Sequence, residues 1–117
     1  MNFKEVDEWC AKTQDRRDYL TAYGKTGKPS NAEEQTLDSF ACIGLEHEAA
    51  HFVAQAEEFL EKYEAQAMFE TRKEYPELNS RERELVEKEK TAPIRLLVEG
   101  CRITRRSITS RYFAKRG

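Results

Sequence analysis

The sequence contains one motif with the form of a catalytic site, His-Glu-x-x-His, formed by His47, Glu48 and His51. Residues four apart on a helix point the same way, so two imidazoles can share a zinc ion while the glutamate activates water. The rest of a zinc hydrolase site is missing, because Glu58 lies ~10 Å further along a straight helix and the chain has only these two histidines. We therefore predict no catalytic residue, no cofactor and no metal ion. A zinc hydrolase that uses His47 and His51 is the remote alternative, and we interpret both as polar residues beside a buried stripe.

The carboxyl-terminal segment is the strongest candidate for a binding site, because it is rich in cations. These are Arg95, Arg102, Arg105, Arg106, Arg111, Lys115 and Arg116. Spacings of three and four residues place several of the arginines on one helical face. Guanidinium forks match phosphate oxygens, and Tyr112 and Phe113 could stack on unpaired bases. The pattern favours a surface that binds nucleic acid, single-stranded in particular.

The distribution of charge allows a second interpretation of these arginines. The net charge is −2, but residues 31–90 hold seven basic and sixteen acidic residues, whereas residues 91–117 hold seven basic and one acidic. The arginines could therefore neutralise the acidic middle of the same chain or of a neighbouring subunit, with the aromatic residues in the core. The nucleic-acid hypothesis depends on these cations being unpaired.

The end of the chain resembles that of phage recombination mediators of the UvsY type. The likeness lies in Ile108-Thr109-Ser110-Arg111-Tyr112-Phe113-Ala114-Lys115, together with Glu48-Ala49-Ala50 on a long central helix. The resemblance implies a small helical, oligomeric protein that binds single-stranded DNA and helps to load a recombinase. It also implies that Arg105, Arg106, Arg111 and Lys115 face DNA and that Phe113 packs or stacks.

Length and composition set the class of protein. A chain of 117 residues has the length of a single domain. The composition favours helices, because Gly and Pro are few and Ala, Glu, Lys, Arg and Leu are abundant. The start has no basic and apolar leader, and no stretch has the ~18 apolar residues of a membrane span. The cysteines Cys10, Cys42 and Cys101 are odd in number and far apart, which indicates buried thiols in a reducing compartment. We expect a cytoplasmic protein without a membrane partner.

Helix signals in the sequence predict four helices. They predict helix 3–23, loop 24–30, a long helix 31–74, helix 80–91 and helix 93–115. Capping boxes are expected at Asn2 and Ser30, and Asn79 or Ser80 should cap the third helix. Gly24 should end the first helix in a left-handed conformation, and Pro93 should kink or separate the last one from a cap at Thr91.

The long helix carries an apolar seam with alternating steps of four and three residues, formed by Leu45, Ala49, Phe52, Ala56, Phe59 and Tyr63. This spacing is typical of packed helices. The predicted fold is all-α, an elongated helical hairpin or small bundle with the last helix antiparallel to the central one. Because so few helices would leave the seam incompletely covered, we predict self-association.

Two functions of different class follow. The first is a non-enzymatic, oligomeric accessory protein that binds nucleic acid through its arginine-rich last helix. The alternative is a helical protein-interaction module, such as an adaptor or small inhibitor, that docks on another macromolecule.

Overall fold

The computed structural model describes residues 1–27 and 29–113. Over these residues it contains four helices, α1 (Lys4–Lys25), α2 (Ala32–Glu74), α3 (Ser80–Lys90) and α4 (Ala92–Phe113). The molecule measures 64 × 31 × 16 Å, and its long dimension is set by α2, which alone spans ~64 Å at 1.5 Å per residue. The predicted all-α, elongated architecture is confirmed.

The start of α1 differs from the prediction. Phe3 precedes the helix without a side-chain cap, and Asn2 accepts from Lys4 N–H at 2.9 Å. The expected box with Glu5 is wrong, because the Glu5 carboxylate binds Lys62 of α2.

The end of α1 also differs. Gly24 does not terminate the helix, which continues through Lys25, and no described glycine has a positive φ. Gly24 instead marks a close approach between helices, since a Cβ built there would lie 2.8 Å from Ser107 Cβ of α4. The carboxyl end of α1 is capped by Thr26, whose N–H donates a hydrogen bond to the Tyr23 carbonyl at 3.2 Å.

The long helix is continuous over 43 residues, Gly44 included. Its N-cap is Asn31, whose side chain accepts from Glu34 N–H at 2.8 Å. The capping box predicted at Ser30 is therefore wrong, because the capping residue is Asn31. The helix ends at Glu74, before Tyr75 and Pro76, because a residue that precedes proline is disfavoured in helical geometry.

A short third helix begins with the capping box that the sequence predicts. Asn79 accepts from Glu82 N–H at 2.9 Å, and the Glu82 carboxylate accepts from Asn79 N–H at 3.1 Å. Buried Thr91 separates α3 from α4, and Pro93 lies in the first turn of α4. Proline is tolerated there, because N–H groups of the first turn have no acceptor within the helix. The last helix therefore begins at Ala92, and residues 114 and 115 of the predicted helix lie outside the described residues.

The helices pack as a flat bundle in which α2 is antiparallel to both α1 and α4. Phe3 meets Tyr63 and Trp9 meets Phe52 and Phe59 in edge-to-face contacts between α1 and α2. Ion pairs between helices show that α4 is also antiparallel to α2. Arg95 in the first turn of α4 pairs with Glu64 in the second half of α2, and Arg111 near the end of α4 pairs with Asp38 near the start of α2.

The predicted seam of α2 forms the core of the single chain. Ala49, Phe52, Ala56 and Tyr63 are buried, and Leu45 and Phe59 pack against the two buried clusters. The expectation that a single chain leaves this seam uncovered is therefore wrong, because α1 and α4 cover it from two sides. The seam gives no reason for self-association.

Candidate functional site

Each of the five arginines of α4 within the described residues has a carboxylate partner, which lies on α2 for four of them and on α4 for Arg106. The pairs are Arg95–Glu64 at 3.0 Å, Arg102–Glu57 at 3.4 Å, Arg105–Glu46 at 2.9 Å, Arg106–Glu99 at 3.0 Å and Arg111–Asp38 at 2.6 Å. Lys115 and Arg116, also predicted to bind nucleic acid, lie outside the described residues. The expectation that these cations are unpaired is thus wrong for the five arginines. Antiparallel packing places four of them alongside acidic residues of α2, and Arg106 pairs with Glu99 of its own helix.

Three of the arginines share one open groove. Arg102, Arg105 and Arg106 line it together with Glu46 and Glu57. The guanidinium groups remain about half exposed or more, so these ion pairs contribute little to stability. The groove presents charges of both signs, whereas a site that binds a polyanion by charge alone presents mainly cations.

The two sequence-predicted aromatic residues lie at the end of α4. Tyr112 and Phe113 meet edge to face, with ring centroids 4.9 Å apart. Tyr112 packs against the larger core cluster, whereas Phe113 is 54% exposed. Both line an apolar recess between α2 and α4 that also includes Cys42 and Ile43.

The His-Glu-x-x-His string has the helical geometry that was predicted for it but not the arrangement of a hydrolase. Both Glu48 oxygens bind Arg16 of α1, at 2.7 and 2.6 Å, and this hydrogen bonding holds the pKa of the Glu48 carboxyl below its ordinary value. His47 and His51 are exposed on the face of α2 that is turned away from the core. Within residues 1–27 and 29–113, no three His, Cys, Asp or Glu side chains are grouped for a metal ion. A carboxylate held by Arg16 is poorly placed to act as a general base.

An exposed apolar surface, which sequence reasoning missed, lies where α2 begins and α4 ends. Its members are Leu37, Phe40, Ile43 and Phe113, and we call it the apolar end. Phe40 is 72% exposed, and Ile43 and Phe113 line the same recess. The sequence does contain a signal for this surface. Leu37, Phe40 and Ile43 follow one another at intervals of three residues near the start of the long helix, and none of them belongs to the seam.

Acidic residues adjoin the apolar end. Glu33 and Glu34 occupy the first turn of α2 and are exposed, where carboxylates are favoured by the helix dipole. Apolar side chains beside acidic ones match a ligand that is itself amphipathic and basic.

The fold and surfaces describe an all-α bundle in which the five described arginines of α4 are paired with carboxylates of the same chain. No helix in its described part combines the length and the apolar character needed to cross a bilayer. Comparison with protein families, with characterised proteins and with solved structures finds no significant match.

Proposed function

We propose that the protein is a helical interaction module that docks a basic amphipathic helix of a partner protein on its apolar end. The observation that carries this proposal is the exposure of Phe40 beside Leu37 and Ile43, on a helix whose other face is well packed. Clustered exposed apolar side chains mark binding surfaces in soluble proteins more often than scattered ones do.

The mode of binding follows from the shape of the surface. Two helices, α2 and α4, leave a recess between them that is lined by Ile43, Tyr112 and Phe113. An amphipathic helix can insert apolar side chains into such a recess, and its anchors recur at helical spacing. Lys and Arg on the flank of that helix would lie near Glu33 and Glu34, which would speed association more than it raises affinity.

The ion pairs of α4 support this choice over nucleic acid. A phosphate backbone would have to displace carboxylates from Arg102, Arg105 and Arg106, and these carboxylates would then repel the same backbone. Binding of nucleic acid through α4 therefore stays a prediction, which the same experiment tests.

The experiment measures fluorescence anisotropy of three labelled probes: a Leu/Lys amphipathic peptide, a Leu/Glu peptide of the same pattern and a single-stranded oligonucleotide. We expect saturable binding of the Leu/Lys peptide, weak binding of the Leu/Glu peptide, and at least tenfold weaker Leu/Lys binding after Phe40→Ser. Leu85→Ser is the matched control, because Leu85 is also exposed but lies on α3.

Two results would overturn the proposal. One is Leu/Lys binding that Phe40→Ser leaves unchanged. The other is tight oligonucleotide binding that falls steeply with salt and is lost when Arg102, Arg105 and Arg106 are replaced together by alanine, since that result assigns the function to α4.

A further inference from the structure

The outer face of α2 carries a second regular stripe, opposite the buried seam. Its members are Gly44, His47, His51 and Ala54, which follow steps of three and four and are all exposed. Such steps keep residues on one face over several turns. The two histidines of the chain thus lie in the middle of an uncovered helical face.

The imidazoles are placed to chelate. Residues at i and i+4 have Cβ atoms ~5–6 Å apart, a separation that two histidines bridge when both bind one zinc ion. Within the described part of the chain, neither His47 nor His51 has a hydrogen-bond or ion-pair partner that would hold its ring elsewhere.

Two ligands do not complete a zinc site, and the described part of this chain offers no nearby third. Glu48 is held by Arg16, and the described residues contain no group of three metal-ligating side chains. Protein-bound zinc is usually tetrahedral, with three or four protein ligands. A second copy of α2, related by a twofold axis, would supply the remaining two imidazoles.

Small residues on both sides of the histidines permit that approach. Gly44 lies three residues before His47, and Ala54 lies three residues after His51, on the same face. A Cβ built on Gly44 meets no atom within 4 Å, so the space beside it is open. If two antiparallel copies cross on this face midway between His47 and His51, Gly44 of one chain faces Ala54 of the other, and two small residues let the helix axes come close.

We propose that the outer face of α2 is a zinc-dependent dimer interface in which His47 and His51 of two chains bind one zinc ion through four imidazole nitrogens. The inference is independent of the partner helix at the apolar end, because crossed helices diverge away from their crossing point. The site binds zinc without hydrolytic chemistry, since four protein ligands leave no open position for water.

The test is mass determination by light scattering with zinc chloride alone as the probe. We expect a monomer in the presence of EDTA, a twofold mass increase with half an equivalent of zinc per chain, and reversal by EDTA. Titration calorimetry should give one zinc per two chains. A mass that does not change with zinc, or a dimer that persists in EDTA, would overturn the proposal.

Variants separate chelation from helix contact. His51→Ala should stay monomeric with zinc, and Gly44→Lys should also stay monomeric, because it retains both imidazoles, adds no carboxylate ligand and blocks the crossing. Gly100→Lys is the matched control, since Gly100 is an exposed helical glycine of α4 with equally open surroundings, and it should dimerise like wild type. Zinc-induced dimers in His51→Ala would assign the metal to other ligands.

Cobalt reports the ligands directly. The cobalt-loaded wild-type protein should show the visible absorption of a tetrahedral site without the near-ultraviolet charge-transfer bands of thiolate ligands. Strong thiolate bands would place the metal on Cys10, Cys42 or Cys101 and so overturn the assignment to the histidines.

Discussion

The Arg111 guanidinium lies 2.6 Å from the Asp38 carboxylate, with the two side chains only 8% and 11% exposed, so this is the most buried of the described ion pairs. The Tyr23 hydroxyl donates to the same carboxylate at 2.8 Å, and Arg111 donates to the Tyr23 and Thr26 carbonyls at 2.9 and 2.8 Å. Arg111 belongs to α4, Asp38 to α2 and Tyr23 to α1, so one polar cluster joins the ends of three helices.

Removal of Arg111 should destabilise the protein strongly. Arg111→Ala leaves Asp38 with a buried charge and removes the Arg111 donor from the Thr26 carbonyl, whereas the Tyr23 carbonyl keeps its bond from Thr26 N–H. Breaking a buried pair costs about 3 kcal/mol. The measurement is the free energy of unfolding in urea, followed by circular dichroism.

Arg106→Ala is the control for that variant. Arg106 also pairs with a glutamate, but both side chains are more than half exposed, so its loss should change stability by no more than about 1 kcal/mol. If the two substitutions lower the free energy of unfolding equally, the Arg111 cluster does not stabilise the fold more than an exposed ion pair does.

Alkaline pH should weaken the same cluster through Tyr23. Burial, and next the hydrogen bond to Asp38, raise the pKa of Tyr23 in the folded protein above the ordinary value of 10.0. The unfolded chain therefore loses this proton first, so the Tyr23 contribution is fully present below about pH 10 and declines as pH rises further. Urea midpoints measured at neutral pH and above about pH 10 should show the decline.

The Tyr23→Phe variant isolates this effect. It should be less stable than wild type at neutral pH, because the hydrogen bond to Asp38 is lost, and the difference should shrink above about pH 10. Tyr19→Phe is the control, since Tyr19 is half exposed and its variant should follow the wild-type pH dependence. A constant difference between Tyr23→Phe and wild type at all pH values would contradict the prediction.

Local signals predicted the helices well because their determinants lie within a few residues. Pro76 limits the end of α2, Asn79 caps α3, and Thr91 with Pro93 separates α3 from α4. Each of these effects acts through backbone hydrogen bonds of one turn, and the spacing of apolar residues then identified the buried face of α2.

The candidate sites could not be predicted in the same way, because they depend on contacts between distant segments. The spacing of Arg102, Arg105 and Arg106 indicates a shared face but not which helix that face meets. Gly24 carries the local signal of a helix end, yet what a Cβ at that position would meet is Ser107, more than eighty residues later in sequence. The contacts of these arginines and of Gly24 depend on how α4 packs against α1 and α2, which no local pattern in the sequence encodes.

The thiols should react slowly in the folded protein. Burial raises the pKa of the Cys10 and Cys101 thiols, and buried Cys42 donates to the Ile108 carbonyl at 3.4 Å. Since the thiolate is the reactive form, an aromatic disulfide reagent should modify Cys10, the least buried, first and the other two only on unfolding. Rapid modification of Cys42 or Cys101 under native conditions would contradict this order, and Cys10→Ser identifies the first thiol to react.

Two helical glycines should respond to alanine in opposite directions. Gly100 has open surroundings, so Gly100→Ala should stabilise the protein by about 1 kcal/mol through helix propensity alone. Gly24→Ala gains the same propensity but places a Cβ 2.8 Å from Ser107 Cβ, and overpacking between helices costs about 1–3 kcal/mol. We therefore expect Gly24→Ala to be neutral or destabilised in urea unfolding. Adding Ser107→Gly to Gly24→Ala should cost less than Ser107→Gly costs in wild type, because it removes the clash, whereas strictly additive effects would show that the two residues do not touch.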